Sequence, residues 1–508
     1  MPTNQHNRPA HAENPAPTWH WVMATLLITV GVTLLRLVLN LRHALPPGMD
    51  AGYYPLQTRS LLERGELMGS TPPLIFWLDA GLTRGLLLLT DLSVNQAAIL
   101  ATRLVDSMAH PWLAVPVMLL GRRWTGGRRS GLMASACCSA LAVCSPPVMR
   151  MVSDFQKNSL GLVWLGFSLW AMCEALHRPR LWRWGLVLLF VTLAGLSHIG
   201  AFGVTCVALA GMLTGEFLLA GKRPGGQLLR TIVVLFVAVV PAAGIVYWLA
   251  PQWAEHLWAM PSRAMGMLDF RLHPGMVLLS LFVWTLLALL CVCLWRQRRE
   301  SDVADAAVAC GCVAALVVLT VPVLDATWTM RFQLMIPLPA AVLLLFSVTM
   351  LQPIAANPAV SRWLIRGTAV TVVCSPFFMQ GPVITSATAA ELQAFAGQLD
   401  DPGRTLVVAP HGLEFWVGLM TNAEVTSVGL PDERGSFEHI LIVNPHRGPL
   451  SGSGPPEHRG PPGRGDWRGP QRRSPGRDRH HGPDDQIVVP DGAQRIHRGE
   501  NFDVFEVL

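Results

Sequence analysis

Apolar residues run along this chain in long blocks, separated by short polar or charged connections. Largely apolar stretches fall near 19–41, 98–120, 130–148, 158–177, 184–200, 203–221, 228–250, 275–295, 303–324, 332–351 and 362–381. Most approach or exceed the roughly 18 residues that mark a membrane-spanning helix. The pattern predicts a polytopic α-helical membrane protein with about eleven transmembrane helices. The first run does not read as a signal peptide. A mostly polar segment, residues 1–18, precedes Trp19, and Arg36 interrupts the far half of the run, so a retained anchor is expected.

Composition agrees. Of 508 residues 51% are hydrophobic and only 14% charged, against roughly 25% charged in soluble domains; the mean hydropathy is +0.39. The net charge of +6 comes largely from loops and one tail, and no nucleic-acid partner is expected. All ten cysteines lie within apolar segments. Two C-x-C pairs, at 291/293 and 310/312, lack nearby His or carboxylate partners, so small buried thiols are the reading rather than zinc.

Loop charges orient the bundle. "GRRWTGGRR" (121–129), "HRPRLWR" (177–183), "GKRPGG" (221–226) and "WRQRRE" (295–300) fall on alternate connections, and "SRWLIR" (361–366) joins them. The positive-inside rule makes that side cytoplasmic. A cytoplasmic N-terminus and eleven spans leave the C-terminus outside the cell membrane. Residues 73–90 are apolar but carry Asp79 and Arg84. Charges at mid-bilayer are costly, so this segment is expected to be an interfacial helix, and 42–97 one large outer loop.

Acids and cations recur wherever the chain surfaces outside. The first loop offers Asp50, Arg59, Glu63 and Arg64, and the second Asp154 and Lys157 at helix-like i, i+3 spacing. Lys157 is one of only two lysines among 39 basic residues. His198 lies in the turn "SHIGAFG"; the loop 251–274 holds Glu255, Arg263, Asp269 and Arg271; Asp325 and Arg331 sit at the mouth of a later span. Each has a plainer reading: Asp50 as a solvated acid, Asp154 with Lys157 as a helix-end ion pair, His198 as an interface histidine, Arg331 as a snorkelling cation.

"MDAGYYPLQTRSLLERGEL" (49–67), followed by "STPPLIFWLDAGL" (70–82), resembles the first outer loop of GT-C glycosyltransferases. The nearest branch is that of protein O-mannosyltransferases and lipid A aminoarabinose transferases. "VSDFQKNSLGL", "LLGRRWTGGRRSGLMAS" and "RFQLMIPLP" extend the similarity over roughly residues 20–350. The pattern departs at Ala51, where many relatives have a second acid, and at Thr71, where many have His or Lys. The resemblance implies a polyprenyl-phosphate-linked sugar donor and an extracytoplasmic acceptor (protein, lipid or polysaccharide). In an inverting transfer a carboxylate deprotonates the acceptor and cations hold the leaving phosphate. It implies Asp50 as base, Asp154 as a second acid, and Lys157 and Arg331 as phosphate holders. Tyr53 and Tyr54 would line the sugar or acceptor site, with Arg59 and His198 further substrate-binding candidates; interfacial anchoring is the plainer reading of the tyrosines. No cofactor is assigned, although the chemistry would admit a divalent cation.

Three regions follow: a disordered cytoplasmic segment 1–18, a transmembrane region 19–382, and a small extracytoplasmic α/β domain 383–508. In the last, "GRTLVVAPHGLEFWVGLMTNAEVTSVGL" (403–430) reads as strand, turn, amphipathic helix and strand, and "FEHILIVNP" and "ENFDVFEVL" as further strands. His411, Glu414 and Trp416 could touch the acceptor, though a structural role is the simpler reading. Residues 446–485, rich in Gly, Pro and Arg, are expected to be disordered, or to reflect a local reading-frame error. The rival to a transferase is a transporter or flippase of lipid-linked or free sugar. Transporters show internal repeats and mid-membrane ionisable groups; no clear repeat is visible, and the polar groups favour the outer mouths.

Overall fold

The computed structural model describes residues 15–219, 240–241, 243–258, 274–297, 302–322, 326–350, 358–427, 437–446, 489–490 and 492–507. Candidate residues Arg263, Asp269, Arg271 and Asp325, most of the expected 228–250 span and the 446–485 insert apart from His446 lie outside them. Among the described residues, six helices are long and apolar enough to cross a membrane: Thr18–Leu41, Val94–Trp124, Arg129–Arg150, Gln156–His177, Ile199–Leu219 and Trp328–Met350. Shorter apolar helices run Leu181–Ser197, Ser280–Val292 and Val303–Leu319.

We number the first ten helices α1 (Thr18–Leu41), α2 (Tyr53–Glu63), α3 (Leu74–Leu89), α4 (Val94–Ala109), α5 (Ala114–Trp124), α6 (Arg129–Cys144), α7 (Pro146–Arg150), α8 (Gln156–His177), α9 (Leu181–Ser197) and α10 (Ile199–Leu219). One apolar core joins α1, α5, α6, α8, α9, α10 and helices 303–319 and 337–350. Lipid-facing positions stay apolar: Leu27, Leu34 and Val38 of α1 are exposed. The charged Arg36 instead faces inward from α1, fully buried and paired with Asp106 at 2.9 Å. Removing one member of a buried pair costs about 3–5 kcal/mol, so the charge ties α1 to α4. Most described cysteines are buried as expected, but Cys291 and Cys374 are exposed. Residues 15–17 of the segment expected to be disordered are tied down; Ala16 N–H donates to Gly127 O at 2.7 Å.

The first loop builds α2 and α3 after a 3-10 turn, Met49–Gly52. Segment 73–90 is a helix, as its pattern indicated, and buries Asp79 rather than exposing it. Beyond the bundle a five-stranded sheet has the order β2-β1-β3-β5-β4, from β1 (Thr405–Val408), β2 (Glu424–Thr426), β3 (His439–Pro445), β4 (Gln494–Arg498) and β5 (Phe502–Glu506). β1 pairs parallel with β2 and β3, while β5 runs antiparallel to β3 and β4. Continuous apolar runs such as Leu406–Val408 and Ile440–Val443 are buried, as central strands require. A helix, Leu413–Thr421, crosses between β1 and β2. Its Trp416 and Val417 share a core with Ala51 and Leu56 of the first loop. The sheet unit therefore sits directly on the segment that carries Asp50.

Candidate active site

The Asp50 segment is held by backbone geometry that only glycine supplies. Gly48 has φ +102° and ψ 160°, a region essentially restricted to glycine. A Cβ there would stand 2.5 Å from Asp154 Cβ and 2.9 Å from Asp154 Oδ1. This close approach lets the Asp50 N–H donate to Asp154 Oδ1 at 2.7 Å, and the Met49 N–H bonds the same carboxylate. Asp154 is itself buried and follows Ser153, whose φ is +62°. Burial first, and then the charge of Asp50, push the Asp154 carboxyl well above the usual carboxylate range. Asp154 thus faces the backbone of the Asp50 turn, while the Asp50 side chain keeps 24% exposure at the cluster's open side.

Both tyrosines and Lys157 join this cluster. Tyr54, buried, donates its hydroxyl to Asp154 O at 3.2 Å and accepts the Lys157 N–H at 3.4 Å. Tyr53 donates to Thr71 Oγ1 at 2.9 Å. Lys157 Nζ lies 3.4 Å from Tyr53 Oη and 3.3 Å from Thr71 Oγ1, and 4.6 Å from the Tyr53 ring centroid. Such a cation–π contact orients an ammonium without neutralising it. Thr71 thereby supplies a hydroxyl partner to the cation.

The sheet unit contributes a third wall. His411 Nε2 is 3.7 Å from Asp50 Oδ1, and His411 Nδ1 is 2.8 Å from Glu414 Oε1. The Glu414 hydrogen bond raises the His411 pKa, and burial raises that of Glu414. Gly412, at φ +91°, brings its backbone against Met49; an added Cβ would lie 3.0 Å from Met49 Cγ. The His411 ring thus bonds Glu414 and stands close to the Asp50 carboxylate.

Arg331 and His198 lie within electrostatic reach. Lys157 and Arg331 both act electrostatically on His198, and Arg331 opposes protonation of His411. The Arg331 guanidinium lies 5.7 Å from the Trp328 ring centroid. His198 Nδ1 accepts the Ala201 N–H at 3.2 Å, capping α10. Arg59 is not gathered with these groups. It donates to Leu419 O at 2.7 Å and Gly418 O at 2.9 Å, clamping the end of helix Leu413–Thr421. Those donors satisfy carbonyls that a helix C-terminus otherwise leaves orphaned, so the structure places Arg59 at the docking of the sheet unit. Sequence reasoning missed Arg150, whose charge opposes the upward shift at Asp154 and whose Nη2 is 3.4 Å from Met330 Sδ. A cation four positions before Asp154, ending an apolar run, was the available signal. Among the described residues, no group of three or more His, Cys, Asp or Glu is arranged to hold a metal ion.

The chain has the fold of a multi-pass membrane protein, a helical bundle whose first loop and sheet unit enclose a polar cluster. It shares that fold with ArnT from Cupriavidus metallidurans. The crystal structure of ArnT bound to undecaprenyl phosphate matches at TM-score 0.56 and 14% identity, over 97% of this chain and 98% of that one. The apo ArnT structure matches at TM-score 0.54 and 13% identity, over 97% and 98% of the two chains. No protein-family model matches the sequence, and no curated protein matches it. The expected GT-C resemblance is thus borne out in the fold.

Proposed function

We propose that this protein is a membrane glycosyltransferase that takes a sugar from a polyprenyl-phosphate donor and passes it to an acceptor outside the cytoplasm. ArnT, whose fold the chain shares, has been seen with undecaprenyl phosphate bound. In this reading about eleven spans, with a cytoplasmic N-terminus, put the sheet unit and the first loop on the outer side. The observation that carries the reading is the Asp50 turn: a half-buried carboxylate whose own amide is locked by Asp154, beside Lys157.

The chemistry is an inverting displacement. Asp50 takes the proton of an acceptor hydroxyl as its oxygen attacks the anomeric carbon. The carbon–oxygen bond to phosphate breaks, and the phosphate leaves with the electron pair. Lys157 and Arg331 stabilise the charge that grows there. Tyr53 and Tyr54 wall the sugar, and His198 completes the inner side. Asp154 acts through Asp50 by fixing its backbone, and reactant positioning of this kind accounts for a large share of the barrier lowered by enzymes.

The test uses purified protein in nanodiscs with polyprenyl-phosphate aminoarabinose or polyprenyl-phosphate mannose, plus an outer-envelope extract. Release of polyprenyl phosphate coupled to a sugar-sized mass gain on an acceptor supports the reading. Movement of intact lipid or sugar across a bilayer with no glycosidic bond formed would replace it with a transporter.

A further inference from the structure

Behind the turn that carries Asp154 lies a buried polar cluster with no part in the displacement itself. Arg36 of α1 donates Nη2 to Asp106 Oδ1 of α4 at 2.9 Å. Asn40, one helical turn on, donates Nδ2 to Asp106 Oδ2 at 2.9 Å and to Ser107 Oγ at 2.8 Å. Asp106 Oδ2 also accepts the Ser153 N–H at 3.1 Å, and Ser153 Oγ donates to Asn40 Oδ1 at 2.5 Å. Arg36, Asn40, Asp106, Ser107 and Ser153 are all buried.

Two features make this more than a packing detail. Ser153 has φ +62°, a left-handed conformation that side chains with a Cβ adopt at a cost. Such strain persists only where the surroundings over-determine it. Here both the N–H and the hydroxyl of Ser153 are fixed by Asp106 and Asn40. In addition, a buried ion pair adds little stability over apolar residues of the same shape, so stability alone does not account for it. The chain of contacts runs from Arg36 through Asp106 to the Ser153 backbone, and from the next residue, Asp154, to the Asp50 amide.

We propose that Asp106, oriented by Arg36 and Asn40, is a positioning residue that pins the Ser153 turn so that the Asp154 carboxylate meets the Asp50 amide. It touches no substrate. The consequence for transfer rests on the reading of Asp50 as the base; the pinning itself does not.

The test compares the full-length protein with Asn40→Ala and with the charge-free pair Arg36→Met/Asp106→Leu, both checked for folding by thermal unfolding. Hydrogen exchange at the Met49 and Asp50 amides is expected to quicken by about tenfold or more, because local opening becomes easier. The maximal transfer rate is expected to fall roughly 10- to 100-fold, with donor KM changed less than about threefold. Adding Ser153→Gly to Asn40→Ala is expected to restore part of the rate, since glycine takes φ +62° without strain. Folded Asn40→Ala protein with wild-type exchange and wild-type rate would overturn the proposal. The neutral Asn40 variant decides the matter even where the double variant does not fold. A wild type without transferase activity would defeat the functional reading, while the exchange result would still decide the pinning.

Discussion

Replacing Gly48 with alanine is expected to disable transfer while leaving most of the fold intact. The backbone at Gly48, φ +102° and ψ 160°, costs a residue with a Cβ about 1–3 kcal/mol. The added Cβ would meet Asp154 Cβ at 2.5 Å and Cγ at 2.8 Å, whereas carbon atoms rest at about 3.5–4.0 Å. Asp154 or the Met49–Gly52 turn must therefore move by about 1 Å, which breaks the bond to the Asp50 amide. A misplacement of this size costs on the order of 10²-fold in rate, or about 2.7 kcal/mol of barrier. The assay is initial-rate transfer from polyprenyl-phosphate sugar at saturating donor, beside a thermal melt. Gly65→Ala is the control: φ is +77° and nothing lies within 4 Å of the added Cβ, so it brings strain without displacement. Its rate is expected to match wild type. If Gly48→Ala also folds and transfers at the wild-type rate, the locked Asp50 turn is not needed and the argument fails.

Three further outcomes follow. The Asp154 carboxyl is held above the ordinary carboxylate range by burial and by Asp50, with Arg150 opposing and Tyr54 and Lys157 alongside. The folded protein thus binds that proton more tightly than the unfolded chain does. Its contribution to stability is present at low pH and is lost as pH rises through the raised titration. Transfer moves the opposite way and gains rate as Asp154 ionises, and Asp154→Asn should remove this pH-rate step and the matching trend in melting temperature. Arg59→Met keeps the aliphatic packing but removes the donors to Leu419 O and Gly418 O; loss of hydrogen bonds from a charged donor is worth roughly 1.5–3 kcal/mol each. Limited proteolysis should then cut between the bundle and the sheet unit sooner than in wild type. Lys157→Met should weaken binding of the bare polyprenyl phosphate by roughly tenfold or more, since it removes a charge-assisted partner, and isothermal titration would read the change.

Much of this arrangement was legible along the chain, and what was not has a physical reason. The apolar runs gave helices because membrane spans need length and hydropathy, both local properties. Candidate acids and cations stood out for the same reason, as Asp50 and Lys157 did against an apolar background. Their partners did not, because hydrogen bonds here cross long separations: the Asp50 amide meets a carboxylate 104 residues away, and Arg59 a carbonyl 360 residues away. Arg59 shows its pairing with Glu63 in the local sequence, whereas its bonds to Gly418 O and Leu419 O come from the distant sheet unit. Gly48 passed unnoticed because only the approach of Asp154 gives its missing Cβ a meaning. His411 was weighed against a local structural role, and it is tertiary docking that puts its ring against Asp50.

The central claim is that Asp50 accepts the proton in a glycosyl transfer, and its most direct test is the maximal rate of Asp50→Asn protein at saturating polyprenyl-phosphate sugar. Asparagine keeps the shape and the backbone bond to Asp154 but cannot take the proton. General-base catalysis contributes about 10²–10⁴-fold, so the account predicts a fall of that size with donor binding unchanged. An Asp50→Asn protein that forms the glycosidic bond at the wild-type rate would contradict it.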